Sequence, residues 1–206
     1  MVHMRYVLLL AVFMVFSCKS DTGTVSKTDD NTEAVTQSNK NKAKKETNYN
    51  KEGIPDACDL LSAETIAKYV KAPASSIFLA DGSSPQTPKA RACFFKWDGS
   101  ELPNAGVLVQ LQKNPVADDV PEYFTYLISS KKTEGEKDPV SPEIIKYKDW
   151  PKFGDDGAYS TVAGKYVWRV GNDWSFMIAF NTTLSDKAQK RAAEAFAKEV
   201  MSNMAL

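Results

Sequence analysis

The feature that most limits what this chain can fold into is an unbroken apolar run, Tyr6 to Phe16, which stops just short of Cys18 and gives way to a long polar stretch. A helix crossing the hydrocarbon core takes about 20 apolar residues, so this run is too short to span a bilayer. With Arg5 ahead of it, or with Met4 as the start, it has the form of the apolar region of a secretory signal. Residues 1–17 are therefore expected to be removed rather than folded. From Lys19 to about Lys51, Ser, Thr, Asn, Asp and Lys predominate, and Val25, Ala34, Val35 and Ala43 stand alone. Such a segment buries too little apolar surface to offset the entropy of ordering it. Residues 18–52 are expected to be a tether reaching roughly 30 Å, with Lys40 to Lys45 a solvated charge run. A packed core is left with residues 53–206, expected to be one domain.

The run ends in Val15-Phe16-Ser17-Cys18, which resembles the lipobox of bacterial lipoproteins. The resemblance implies a diacylglyceryl group on the Cys18 thiol, cleavage before it, and a folded domain held outside the cytoplasm by its N-terminal lipid. Each buried methylene contributes about 0.8 kcal/mol, so two or three chains make attachment effectively permanent. An ordinary secretory signal with an incidental cysteine is the alternative.

Lys and Arg balance Asp and Glu at 26 each. A nucleic-acid partner is not expected, because that function usually carries a strong basic excess. The same balance argues against a polybasic segment as the main membrane anchor. With Cys18 lipidated, Cys58 and Cys93 remain. Outside the cytoplasm disulfides persist, and these two are expected to bond; two buried free thiols are the competing reading. Two isolated cysteines lack the paired spacing of zinc ligands, so no metal is expected, and no cofactor is implied.

The periodicities outline a mixed α+β domain. Ser62 is placed to cap a helix through about Lys71, stopped by Pro73. A strand over Ser76–Ala80, turn chemistry at Asp81–Pro85 and a strand over Arg91–Trp97 follow. After a turn at Asp98-Gly99 comes Gly106–Gln112, where Val107, Val109 and Leu111 alternate with the neighbouring residues. Asp118 or Asp119 is expected to cap a second helix with the stripe Tyr123, Phe124, Leu127 and Ile128. Lys131–Lys137 reads as a charged loop and Ile144–Tyr147 as a weak strand. Ala158–Ala163, Tyr166–Val170 and Trp174–Phe180, turned at Gly164 and Gly171-Asn172, predict an antiparallel meander. Trp174, Phe176, Ile178 and Phe180 share one face. A final helix, capped by Ser185, buries Ala193, Phe196, Ala197, Val200 and Met204. Its wet side carries Lys187, Arg191, Glu194, Lys198 and Ser202, with Glu194 and Lys198 as an i,i+4 pair.

Asp56-Ala-Cys-Asp-Leu-Leu61, followed by Ser62-Ala-Glu and a helix, resembles the opening of a lipoprotein domain of unknown function widespread in bacteria. Ala92-Cys93-Phe94-Phe95-Lys96-Trp97 resembles its second cysteine strand. Phe153-Gly154-Asp155-Asp156-Gly157-Ala158-Tyr159 resembles its Gly-Asp-x-Ala-aromatic turn. The likeness covers most of residues 54–204. It implies an antiparallel sheet flanked by helices, the C-terminal helix packed on the sheet, similar to the PsbP-like fold. It implies no activity, and fold alone does not supply one.

The only histidine, His3, leaves with the signal, which removes Ser-His and Cys-His nucleophile systems from the mature chain. No phosphate-binding glycine loop is present. Carboxylates remain. Asp155 and Asp156, beside Trp150 and Phe153, form a candidate ligand loop with an aromatic wall; the plainer reading is a turn whose Asp side chains bond to nearby backbone. A calcium loop would need alternating oxygen ligands and a closing Glu, which are missing. Trp97, Trp150, Trp168 and Trp174 suit a core better than a binding platform. The expected function is a noncatalytic binding or interaction module at the cell envelope, taking an envelope protein or a small apolar ligand. Its sign would be an exposed aromatic patch of several hundred Å². The alternative is a carboxylate-based envelope hydrolase, for example glycan-directed, with two carboxylates facing across a cleft at roughly 5 to 10 Å.

Overall fold

The structure, a computed structural model, describes residues 49–98 and 102–204. Cys18, the segment before it, the tether up to residue 48 and Gly99 of the expected turn lie outside the described residues. The domain is mixed α+β. Its strands are β1 (Phe78–Asp81), β2 (Ala90–Trp97), β3 (Ala105–Lys113), β6 (Lys148–Asp149), β7 (Asp156–Ser160), β8 (Lys165–Val170) and β9 (Trp174–Asn181), with a separate hairpin of β4 (Glu136–Lys137) and β5 (Ile144–Ile145). The main sheet has the order β1-β2-β3-β9-β8-β7-β6, every pair antiparallel.

Alternation along these strands sorts side chains onto two faces. Cys93, Phe95, Val107, Val109, Leu111, Phe176, Ile178, Tyr166 and Trp168 point to an inner face and are essentially inaccessible. That face is covered by α3 (Asp186–Met204), by α1 (Ala63–Ala67) and by a 3-10 turn, Ala57–Asp59, in one continuous core. The predicted stripe of α3 is the one that packs. Ala192, Ala193, Phe196, Ala197 and Val200 are buried, and Met204 packs partly buried beside them. The alanines let the helix approach the strands closely, so that Phe196 stacks on Phe180 at 5.8 Å and meets Tyr69 edge-on at 5.6 Å. Burying one such phenylalanine stabilises the fold by about 2–3 kcal/mol. The outer face is covered over β7 and β8 by α2 (Tyr123–Thr133), where Ile128 packs with Tyr147, Ala158 and Val167.

Cys58 and Cys93 form a disulfide with Cα atoms 5.0 Å apart, stapling the 3-10 turn to β2 beneath α3. The meander is present, and Gly164 and Gly171 take the left-handed conformation its turns require. Ser62 caps α1, accepting from the Thr65 amide at 3.2 Å, and the Glu199 carboxylate on α3 accepts from the Ser62 amide at 3.0 Å.

Several boundaries move. The fold begins before residue 53, because the Asn50 side chain accepts from the amides of Glu52 and Ile54 and donates to the Pro88 carbonyl, and Tyr49 bridges to Pro55. Helix α1 ends at Ala67 rather than near Lys71, since the Tyr69 amide tightens back onto the Ile66 carbonyl. Ala74–Ser76 is a 3-10 turn and the strand starts at Phe78, not Ser76. Neither Asp118 nor Asp119 caps α2. Its N-cap is Glu122 and makes no side-chain bond, because buried Asn114 holds the Val120 and Pro121 carbonyls and makes residues 116–121 a separate turn. The expected loop over Lys131–Lys137 is instead the end of α2 and strand β4. Ile144–Tyr147 divides into β5 and β6 around Tyr147, which is buried under α2. The strand expected over Ala158–Ala163 is β7, starting at Asp156 and stopping at Ser160, where Gly164 bonds back to Thr161. Glu194 pairs with Lys152 at 2.9 Å rather than with Lys198.

Candidate functional site

Of the four residues singled out from sequence, Trp150, Phe153 and Asp155 lie in the loop joining β6 to β7 and Asp156 opens β7, and they do not converge. Trp150 is 1% exposed. It lies edge-on to Tyr166 at 5.1 Å and to Trp168 at 5.6 Å, with Phe153 tilted against it at 5.3 Å. This aromatic cluster belongs to the inner core, so Trp150 is no wall of an open site. Gly154 has φ +65, and a Cβ there would collide with the Arg169 carbonyl. The glycine therefore serves the close approach of this loop to the β8–β9 turn.

The two aspartates part company. The Asp155 carboxylate accepts from the Gly171 amide at 2.6 Å and lies 3.6 Å from the Arg169 guanidinium, while its own amide bonds the Arg169 carbonyl. It latches the loop to the β8–β9 turn. The Asp156 carboxylate accepts from the Gly157 amide at 2.8 Å and from the Lys132 ammonium at 2.7 Å, on the α2 side. Both thus hold structure, but only the Asp156–Gly157 contact is the local backbone bond of the turn reading, while Asp155 reaches a turn distant in the chain.

Lys132 also reaches Asp149 at 2.7 Å. Asp149 and Asp156 therefore converge on one ammonium group, which occupies the space between them. Burial disfavours the charged lysine, yet hydrogen bonds to both carboxylates outweigh this and hold Lys132 above the usual lysine range. Beside it, Glu136 of β4 accepts from Lys165 at 2.7 Å and Lys131 at 2.9 Å. Burial pushes the Glu136 carboxyl up, but these two ammonium donors more than offset it and bring it down to about 2. The network ties the end of α2 and the small hairpin to the sheet. Among the described residues no cluster of three or more His, Cys, Asp or Glu side chains is able to hold a metal ion.

The rest of the outer face is different. Register pairs Phe78 with Lys96, Ala80 with Phe94, Phe94 with Leu108, and Leu108 with Ala179, so these side chains share that face. Phe78 is 64% and Phe94 37% exposed, with Leu108 and Ala179 half-buried. The Phe94 ring leans over Gly82, where a Cβ would strike it, and the Lys96 ammonium lies 5.2 Å from its centroid. Strand β1 is the edge of the sheet, and Leu79 on it is 46% exposed. An apolar edge strand beside an apolar face is a surface that proteins ordinarily cover or charge. Sequence reasoning missed this patch, though a signal was there: once Cys93 and Phe95 are assigned inward, Phe94 must point the other way.

The fold and this surface define an α+β domain built on a seven-stranded sheet with a separate two-stranded hairpin, one face closed by α3 and the other, among the described residues, only partly covered. Comparison with protein-family models, curated proteins and solved structures returns no match.

Proposed function

We propose that this chain is a lipid-anchored lipoprotein of the bacterial cell envelope. Its extracytoplasmic domain is a noncatalytic interaction module that binds another envelope protein through β1 and the adjoining outer face. The observation that carries the reading is the exposed apolar pair Phe78 and Phe94, on one face beside an edge strand. An open edge offers backbone donors and acceptors to an added strand, and the phenylalanines offer apolar contact beside it. A protein partner uses both features, whereas a small apolar ligand would use a closed pocket. The lipobox-like Val15-Phe16-Ser17-Cys18 and the Cys58–Cys93 bond, a linkage typical of oxidising compartments, support the location. An antiparallel sheet with a C-terminal helix packed on it is what the resemblance to a PsbP-like domain implies, and the three short motifs described above support that reading.

Two measurements test the proposal. Metabolic labelling with a fatty-acid probe should mark the wild-type chain and fail with Cys18→Ser; equal labelling refutes the anchor. A photocrosslinking residue at position 94, used in intact cells, should give a discrete adduct that Phe78→Glu abolishes. Adducts unchanged by Phe78→Glu would remove the β1 surface from consideration.

A further inference from the structure

The balanced charge of the chain conceals a local concentration of cations in the clefts along α3. On the inner-layer side, α3 runs between two open clefts. One, about 350 Å³, is bordered by Lys146, Lys148, Lys187 and Lys190. The other, about 720 Å³, is bordered by Lys68, Lys152, Arg191 and Lys198, with Tyr69 and Phe153 at its floor. Two carboxylates stand among these eight cations. Asp186 accepts from the Thr161 hydroxyl at 3.0 Å, and Glu194 pairs with Lys152 at 2.9 Å. Among the described residues the remaining seven cations form no ion pair, and Lys190 lies 4.8 Å over the Tyr159 ring. In contrast, residues 116–143, which carry α2 over the opposite face, hold seven acidic and three basic side chains.

We propose that the α3 face docks on an anionic phospholipid surface, which orients the domain on the membrane. The proposal extends the lipid-anchor reading above and rests on it for proximity to the bilayer. Three features select a lipid surface over a single small anion. The cations are lysines with one arginine, mobile point charges rather than a forked clamp. They are spread along α3 from Lys187 to Lys198, about 16 Å at 1.5 Å per residue, further than the ~8–10 Å over which solution charges act as one. The buried polar side chain that borders the smaller cleft, Ser160, already accepts from the Ala163 amide at 3.2 Å. Tyr69 is 37% exposed, an amphipathic ring suited to the headgroup layer. The chain also enters the fold on this side: Ile54 and Ala57 belong to the core that α3 covers. With α3 toward lipid, the acidic layer and the Phe78–Phe94 surface face away, where a partner can reach them.

The test uses the full chain reconstituted into vesicles of neutral phosphatidylcholine and into vesicles that also contain phosphatidylglycerol. Lysine acetylation is read by mass spectrometry. Each cation near an anionic leaflet contributes about fivefold in affinity. Lys187, Lys190 and Lys198 should become at least about fivefold less reactive in the anionic vesicles, while Lys96 and Lys137 do not change. Molar salt, which cuts the Debye length to about 3 Å, should restore them. The variant Lys187→Glu, Arg191→Glu, Lys198→Glu alters only exposed side chains and should abolish protection at Lys190 without altering the melting temperature. Equal reactivity in the two vesicles overturns the proposal, as does protection shared by Lys96, or protection by a soluble anionic glycan but not by lipid. Failure of the anchor is seen separately, as loss of flotation with neutral vesicles. In that event Cys18→Ser protein still tests the face, by salt-sensitive flotation with anionic vesicles.

Discussion

Breaking the Cys58–Cys93 bond should lower the melting temperature of the domain by roughly 8–16 °C. The bond closes a loop of sequence separation 35. In the chain-entropy model that restricts the unfolded chain by about 13 cal/mol/K, or about 4 kcal/mol at 25 °C. A domain of this size shifts by about 2–4 °C per kcal/mol. The structure gives the effect a place. Cys93 is fully buried on β2, and Cys58 holds the 3-10 turn whose neighbours Ala57, Leu60 and Leu61 fill the inner layer. Without the bond, that segment keeps its packing but the unfolded chain regains its freedom. Calorimetry or near-ultraviolet circular dichroism of the full chain, with and without reductant, gives the number, and a Cys58→Ala, Cys93→Ala double variant checks it. A fall below about 3 °C, with reduction verified by mass, would refute the argument that loop closure is a main support of this fold.

Three further outcomes follow from the site geometry. Glu136 has its folded-state carboxyl near 2, below the unfolded value. Its contribution is therefore complete above about pH 4.5 and lost as pH falls toward 2; after solvent screening it is about 1–2 kcal/mol. Glu136→Gln should flatten that limb of an acid-unfolding curve, and an unchanged curve counts against the network. Gly154→Ala forces a left-handed φ on a residue with a Cβ and pushes it into the Arg169 carbonyl, costing about 1–3 kcal/mol; urea unfolding that matches wild type would contradict it. Trp150→Ala should cost about 3–5 kcal/mol as a core truncation, while Asp156→Asn should cost under about 1 kcal/mol because Lys132 keeps Asp149. The reverse order in chemical denaturation would restore Trp150 to a surface role.

The sequence pointed to a Cys58–Cys93 bond but left free thiols open, and the structure joins the two. By itself the sequence was sufficient for the α+β class, the meander, the buried stripe of α3 and the capping by Ser62. Each depends on local periodicity or on the chemistry of one residue type, and both are written along the chain. The tertiary structure decided the rest, because it depends on which distant segments meet. Trp150 is core because Tyr166 and Trp168 arrive beside it from β8. Asp155 and Asp156 adjoin in sequence but are drawn apart, one to the Gly171 amide and the other to Lys132. Asp118 and Asp119 have the chemistry of helix caps and yet cap nothing, since Asn114 organises their turn from outside it. Phe94 is exposed because, among the described residues, no element folds over that part of the outer face as α2 folds over β7 and β8. The lysines of α3 become one charged face only when Lys146, Lys148 and Lys68 are brought alongside from other elements. Short-range pattern sets what each segment is, whereas burial, charge neighbours and open surface are properties of pairs far apart in the chain.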